Sequence, residues 1–352
     1  MTTQQSSHKK LLLVGSASVH VLNFYHLVKE FFDEILIASN DAVFGDLPFV
    51  NVDFNIRNPL QIPGNIRKMK SVIEDFKPDI IHIHQANSVA WITLKAAADF
   101  AIPTVLTAWG DDILVHPHQN AILKKMVHFN LLNADFLTSD SLYMAGEMQK
   151  LVPEKNLKVT VANFGIELLP VTLKKEKVIY SNRLHKPMYR VDKIIKAFAK
   201  FHQTSKGSDW RLFIAGSGTE TDALTDLVNS LNLGSAVEFK GWLGPAENTA
   251  NYQTASLFIS VPNSDATSVS LLEAMAYGCI PVLSNLPANL EWVLDGINGV
   301  IVKDLDDDFI TPAFDLNFSE AVALNSTIIK SRATKEVSKS AFGLIYSNAL
   351  RK

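Results

Sequence analysis

Asp265 and Glu273 stand eight positions apart in the stretch 264–302, SDATSVSLLEAMAYGCIPVLSNLPANLEWVLDGINGVIV. Small hydroxyl residues and then apolar ones lie between them. The run Leu271-Leu272-Glu273-Ala274-Met275-Ala276 reads as a buried helix, where a carboxylate is out of place. An unpaired buried carboxylate is costly, or it is pushed toward its neutral form. Glu273 therefore reaches solvent, pairs with an internal Arg or Lys, or meets a ligand. A vicinal diol such as that of a ribose can donate two hydrogen bonds to one carboxylate.

The residues ahead of this helix suit the same ligand. Thr267 or Ser268 can cap it. The first turn, from Val269, then presents free backbone N–H groups and the positive end of the helix dipole, a site for a diphosphate. Asp265, just before the cap, can accept hydrogen bonds from sugar hydroxyls. One loop and one helix would thus bind hydroxyls, diphosphate and ribose in order, the chemical order of a nucleotide sugar.

Such a helix needs a strand before it. Apolar runs at 10–15, 34–39, 79–84, 103–110, 134–140 and 157–165 read as strands, with helical patterns between them at 21–32 and 65–76. A second series of strands falls at 177–183, 210–218, 236–243, 255–263, 280–285 and 299–304. Continuous apolar runs belong to parallel sheets buried on both faces, and their alternation with helices predicts two doubly wound α/β domains. The polar, Lys-rich stretch 168–177 reads as the linker. The expected division is 1–168, 169–330, and a helix within 331–352 packing back on the first domain. Two such domains face a central cleft, with ligands at the carboxyl ends of the strands.

Composition bounds the function. The 352 residues carry a net charge of −3, are 47% hydrophobic and 20% charged, and include one cysteine. That excludes disorder and an internal disulfide, and gives no electrostatic case for nucleic acid. Cys279 reads as a small core residue. No apolar run approaches the roughly 20 residues that span a bilayer, and no targeting segment is evident. A cytoplasmic protein is expected, with peripheral contact at the inner membrane face through Ile122, Met126 and Phe129 beside Lys124 and Lys125, a stretch that also reads as helix-packing core.

The acid-x7-Glu spacing of Asp265 and Glu273, followed by AMAYGCIPVLSN and EWVLDGINGVIV, resembles the donor-site signature of the family-4 retaining glycosyltransferases of GT-B fold, the glycosyl transferases group 1. The family usually has Glu where Asp265 stands, which leaves the donor sugar open. The resemblance implies an Arg at Arg183 on the diphosphate. The family's Lys-Gly pair falls on Tyr189 and Arg190, a departure, so that Lys186 or Arg190 is the second cation, Lys186 being preferred. It implies Gly216 and Gly218 beside the nucleotide, Trp242 near the base, and Ser268 and Val269 on the diphosphate. In the first domain Gly15 and Ser16 let the opposite wall approach, and His20 is an acceptor contact or a helix-face residue.

His82 and His84 are expected on opposite faces of their strand, with His84 toward the cleft and counted with Asp265, Arg183 and Lys186 as a catalytic residue. Trp109 takes a position where the family often has His. Asp111 and Asp112 either bind acceptor hydroxyls or form a solvated pair capping a helix. The acidic run 304–308 reads as a solvated loop, and neither it nor the two histidines make a metal site.

The resemblance implies transfer, with retention, of a hexose or N-acetylhexosamine from a nucleoside-diphosphate sugar, UDP or GDP first, to a glycan or lipid-linked acceptor. No cofactor beyond that co-substrate and no metal are expected. Surface polysaccharide or glycolipid assembly is the expected setting. The alternatives are a non-catalytic GT-B partner subunit and a nucleotide-sugar epimerase.

Overall fold

In the computed structural model, which describes residues 8–42, 45–168 and 174–352, the apolar runs become two parallel sheets. The first holds β1 (Lys10–Val14), β2 (Glu34–Ser39), β3 (Phe49–Asn51), β4 (Ile80–His84), β5 (Thr104–Thr107), β6 (Phe136–Ser139) and β7 (Val159–Val161). Its spatial order is β3-β2-β1-β4-β5-β6-β7. The helices between are α1 (Val19–Val28), α2 (Ile62–Phe76), α3 (Ser88–Ala97), the short turns α4 (Asp111–Leu114) and α5 (His116–Gln119), α6 (Ala121–Asn133) and α7 (Leu142–Leu151).

The second sheet holds β8 (Glu176–Ser181), β9 (Arg211–Ala215), β10 (Val237–Gly241), β11 (Ala255–Ser260), β12 (Ile280–Ser284) and β13 (Val300–Val302), in the order β10-β9-β8-β11-β12-β13. Its helices are α8 (Val191–His202), α9 (Thr221–Ser230), α10 (Pro245–Thr254), α11 (Val269–Ala276), α12 (Pro287–Leu290) and α13 (Phe318–Arg332), and α14 (Lys335–Ala349) ends the chain. Each sheet therefore starts in its middle, winds to one edge, and restarts beside the first strand, which is the doubly wound order.

The chain divides into two compact units, the first running to Phe164 and taking back Lys335–Lys352, the second Gly165–Thr334. Much of the linker reading at 168–177 falls on residues 169–173, outside the described residues. In the second unit, helices on both faces bury the sheet between two cores. Val191, Ile194, Ile195 and Phe198 of α8 cover one face. Leu271, Leu272 and Met275 of α11 cover the other.

In the first unit α14 returns to pack Phe342, Ile345 and Tyr346 with Phe24 of α1 and the sheet. A buried polar chain anchors it. Tyr346 Oη lies 2.6 Å from His82 Nδ1, His82 Nε2 lies 2.7 Å from Thr107 Oγ1, and Thr107 meets Thr138 at 2.7 Å. Burial drives the His82 pKa well down, so a neutral ring with both nitrogens partnered is the stable form.

Two expectations are corrected here. His82 and His84 share one face: their rings stack at 4.8 Å, because side chains alternate along a strand and positions two apart point the same way. And β3 was not foreseen. It is a three-residue edge strand with no fully buried side chain, so no apolar run marks it.

Tyr346→Phe keeps the ring but strips His82 Nδ1 of its partner inside the core. The expected cost is about 1–3 kcal/mol, read as a lower urea midpoint for the unfolding of the first unit.

Candidate functional site

In the second unit the winding reverses between β8 and β11, and the loops leaving these neighbouring strands diverge to opposite sides. Such a switch point opens a crevice at the strand ends. Arg183 follows β8, and Asp265 and Ser268 follow β11. Arg183 Nη2 donates to Asp265 Oδ2 at 2.6 Å and Nη1 to Ser268 Oγ at 2.6 Å. The Tyr189 ring lies under the guanidinium, 4.5 Å from centroid to Cζ. The ion-paired side chains are 11% and 21% exposed. Gly216, after β9, completes the packing: its φ is +107°, and a Cβ there would come within 2.5 Å of the Arg183 carbonyl oxygen.

Arg190 is one of the two candidates for the second cation. It adopts a left-handed conformation, φ 51°, which costs a non-glycine residue about 1 kcal/mol. That explains why glycine suits the position. Its guanidinium offsets the strain by donating Nε to the Val261 carbonyl at 2.7 Å and Nη2 to the Pro262 carbonyl. Asn263 N in turn donates to Met188 O at 2.9 Å. Arg190 thus staples the loop after β11 to the turn Pro187–Tyr189, with Nε and Nη2 engaged on backbone carbonyls. Lys186 is exposed, with no side-chain partner among the described residues.

Ser268 sits at the N-cap of α11, but its hydroxyl accepts from Arg183 and makes no side-chain cap. Val269 opens the helix half-exposed. Glu273, one turn on, is half-buried and has no cationic partner among the described residues. Burial raises its pKa, and a hydrogen bond from Tyr252 lowers it in part. Tyr252 is itself positioned: Asn182 Nδ2 donates to its oxygen at 2.7 Å, and Tyr180 Oη donates to Asn248 Oδ1 at 2.5 Å beside them. Lys175 closes the end of α10 on the carbonyls of Tyr252 and Ala255, at 2.8 and 2.6 Å. Cys279 packs beside it, its thiol pushed up by burial to about 11, a protonated core residue. Trp242, after β10, is 74% exposed.

In the first unit, Gly15 is buried against its own helix. A Cβ would meet Val21 Cγ2 at 2.6 Å and His84 Cβ at 3.3 Å, so packing alone demands the glycine, and half-buried Ser16 leads from it toward α1. His84 is sealed among Phe24, Phe164 and Trp109. Trp109 Nε1 donates to His84 Nδ1 at 2.9 Å, and burial takes its pKa to about 3. The expectation of an exposed, catalytic His84 is therefore corrected: the ring is neutral and cut off from solvent.

Asp112 is also corrected. It is buried, accepting from the backbone N–H of Ala86 (2.6 Å), Trp109 (3.0 Å) and Gly110 (2.9 Å). With Asn130, which donates to the Ala86 and Asn87 carbonyls, it pins the loop between β4 and α3. Sequence reading missed Asn130. An open pocket of about 590 Å³ lies beside that loop, lined by Arg57, Asn87, His116, Ile122 and Met126 among others. The acidic run 304–308 is an exposed loop in which Asp306 pairs with Lys193 at 2.6 Å. Among the described residues no cluster of His, Cys, Asp and Glu could hold a metal ion.

Residues 168–317 match the family described as Glycosyl transferases group 1, and residues 9–141 match Glycosyl transferase 4-like. The first match falls on the second unit and the second on the first unit. It is similar to the alpha-monoglucosyldiacylglycerol synthase of Acholeplasma laidlawii, 23% identical over 67% of this chain and 65% of that protein. It is similar also to the phosphatidyl-myo-inositol mannosyltransferase of Mycolicibacterium smegmatis, 22% identical over 85% of this chain and 80% of that protein. The solved structure of Anabaena HepE in complex with UDP superposes with a TM-score of 0.78 at 15% identity, covering 97% of this chain and 100% of that one. The two units are thus the parallel-sheet domains of a GT-B fold. The chain spans between 16% and 65% of the first two curated relatives it matches.

Because burial holds the Glu273 pKa above its ordinary 4.5, folding disfavours the ionised carboxylate. The cost is absent below the ordinary pKa, grows as pH rises through the raised one, and stays at full size above it. Glu273→Gln is expected to raise the melting temperature of the unliganded protein near about pH 8 and to give no gain below about pH 4, checked by scanning calorimetry.

Proposed function

We propose that the protein is a retaining glycosyltransferase that moves a hexosyl or N-acetylhexosaminyl group from a nucleoside-diphosphate sugar to an acceptor hydroxyl in glycolipid or surface-polysaccharide assembly. The observation that carries the reading is the convergence of Arg183, Ser268 and Asp265 at the β8/β11 switch point, with Glu273 one helical turn beyond. Arg183, with Lys186 and the N–H groups of the α11 start at Val269, would take the diphosphate and the charge that grows on it as the glycosidic bond breaks. Ser268 would follow its partner onto the phosphate oxygens. Asp265 would accept from sugar hydroxyls, and Glu273, held by Tyr252, from the ribose diol. Gly216 and Trp242 would lie near the nucleoside.

The reading asks for no side-chain base: the departing phosphate oxygen takes the acceptor proton, and the protein supplies position and charge. That fits a His84 that is neutral and sealed. UDP is the first donor to try, since HepE was solved with it. A lipid-linked or glycan acceptor is supported by the glycolipid enzymes among the relatives, with the pocket beside Asn87 and His116 on the acceptor side. Among the described residues no helix is long and apolar enough to cross a membrane. Ile122, 76% exposed beside Lys124 and Lys125, would give a peripheral contact at the cytoplasmic face of the inner membrane.

Tyr189 and Arg190, in place of the family's Lys-Gly, favour a second reading, a non-catalytic partner subunit of the same fold. Donor turnover separates the two. UDP-, GDP- or ADP-sugar is expected to raise the melting temperature by mass action, and Arg183→Ala to cut kcat/KM about 100-fold or more with the fold intact, a loss of about 2.7 kcal/mol of transition-state stabilisation. Unchanged activity in that variant sinks the catalytic reading. Incubation of donor without acceptor, followed by sugar analysis, tests for epimerisation.

A further inference from the structure

The donor-side residues of the second unit already hold one another. Arg183 bonds Asp265 and Ser268, each at 2.6 Å, over the face of Tyr189. Both members of the ion pair are largely withdrawn from water, so salt screens them less than a surface pair. They are also the two groups that the donor reading sends to different parts of one ligand, Arg183 to the diphosphate and Asp265 to the sugar.

Resting on that reading, we propose that Asp265 is a specificity-determining residue that biases the site toward the intact nucleotide sugar and against the free nucleoside diphosphate. A diphosphate arriving at Arg183 must displace the Asp265 carboxylate and then lies beside it as a second anion. An intact donor compensates, because its sugar hydroxyls donate to the freed carboxylate. A nucleoside diphosphate has nothing to offer there, and Asp265, which keeps the Ala266 N–H at 3.1 Å, has lost its cation and lies next to like charge. The penalty falls on the spent nucleotide alone. Once the sugar has gone, Asp265 retakes Arg183 and the nucleotide leaves.

The surroundings suit an exchange of partners. The Tyr189 ring holds the guanidinium from below whichever anion it faces. Arg190 fixes the backbone at Val261 and Pro262, so the loop that carries Asp265 is pinned at its root and the exchange needs only side-chain movement. Asp, one C–C bond shorter than Glu, is long enough for the pair at 2.6 Å.

The test is calorimetric titration of UDP and UDP-glucose, GDP and GDP-mannose, and ADP and ADP-glucose into the full-length wild type, Asp265→Asn and Asp265→Glu. The Asn variant keeps the shape and drops the charge. It is expected to bind the nucleoside diphosphate about tenfold more tightly than wild type and the sugar nucleotide no more tightly, so the ratio of the two affinities shifts by about that factor. Asp265→Glu, which restores a carboxylate, is expected to keep the wild-type ratio. Equal or weaker nucleoside-diphosphate binding by a folded Asn variant, with the wild type still binding a sugar nucleotide, overturns the proposal and leaves the donor reading standing. A wild type that binds none of the six ligands removes the donor reading and this proposal with it. Circular dichroism and the melting temperature verify each fold, and Asp265→Ser replaces an Asn variant that does not fold, with the same ordering expected.

Discussion

A parallel sheet covered on both faces leaves its polar side chains few places to go. In both units the strands bury mostly apolar side chains, the polar His82, Thr107 and Thr138 of the first being paired with one another, and hydrogen-bonded neighbours satisfy the backbone. Chemistry is therefore pushed to the carboxyl ends, where loops leave the sheet and the helix N-termini begin. Arg183 comes directly after β8, Gly216 directly after β9, and Val261 to Asp265 directly after β11. The winding order places β8 beside β11, so residues 82 positions apart in sequence touch. The ion pair at the candidate site is a consequence of sheet topology before it is anything else.

Departures from the family pattern become intelligible as local physics. A position that favours glycine is occupied by Arg190, in left-handed backbone. The side chain that makes the strain worse is also the one that relieves it, by bonding two carbonyls no glycine could reach. Tyr189 replaces a cation with an aromatic face, and the guanidinium of Arg183 settles on it. The pair gives rigidity around a single Arg, and Lys186 nearby is exposed, with no side-chain partner among the described residues.

The fold class was legible because buried parallel strands write themselves as short apolar runs, and twelve of those runs fall on strands. The sheet edge at Phe49–Asn51 did not show, since an edge strand needs no such run. Within the site, residue types pointed to Asp265 and Glu273 and the family resemblance to Arg183, but their mutual contacts did not follow from spacing. Asp111 and Asp112 are adjacent and chemically identical, yet one is exposed and the other buried under three backbone N–H groups from two loops. Only tertiary structure distinguishes them. The same holds for Asn130, an unremarked helix residue whose amide pins a loop more than forty positions away.

Glu273 shows why a carboxylate persists in an apolar helix. Its neighbours Leu271, Leu272, Ala274 and Met275 are buried, and an apolar or amide side chain would serve the fold better than a group held above its usual pKa. Tyr252 offsets part of the rise in the Glu273 pKa, and Asn182 donates to the Tyr252 hydroxyl at 2.7 Å. Among the described residues no cation pairs with Glu273. A carboxylate kept in this position suits the donor reading proposed above, in which a ribose diol brings its own hydrogen-bond donors.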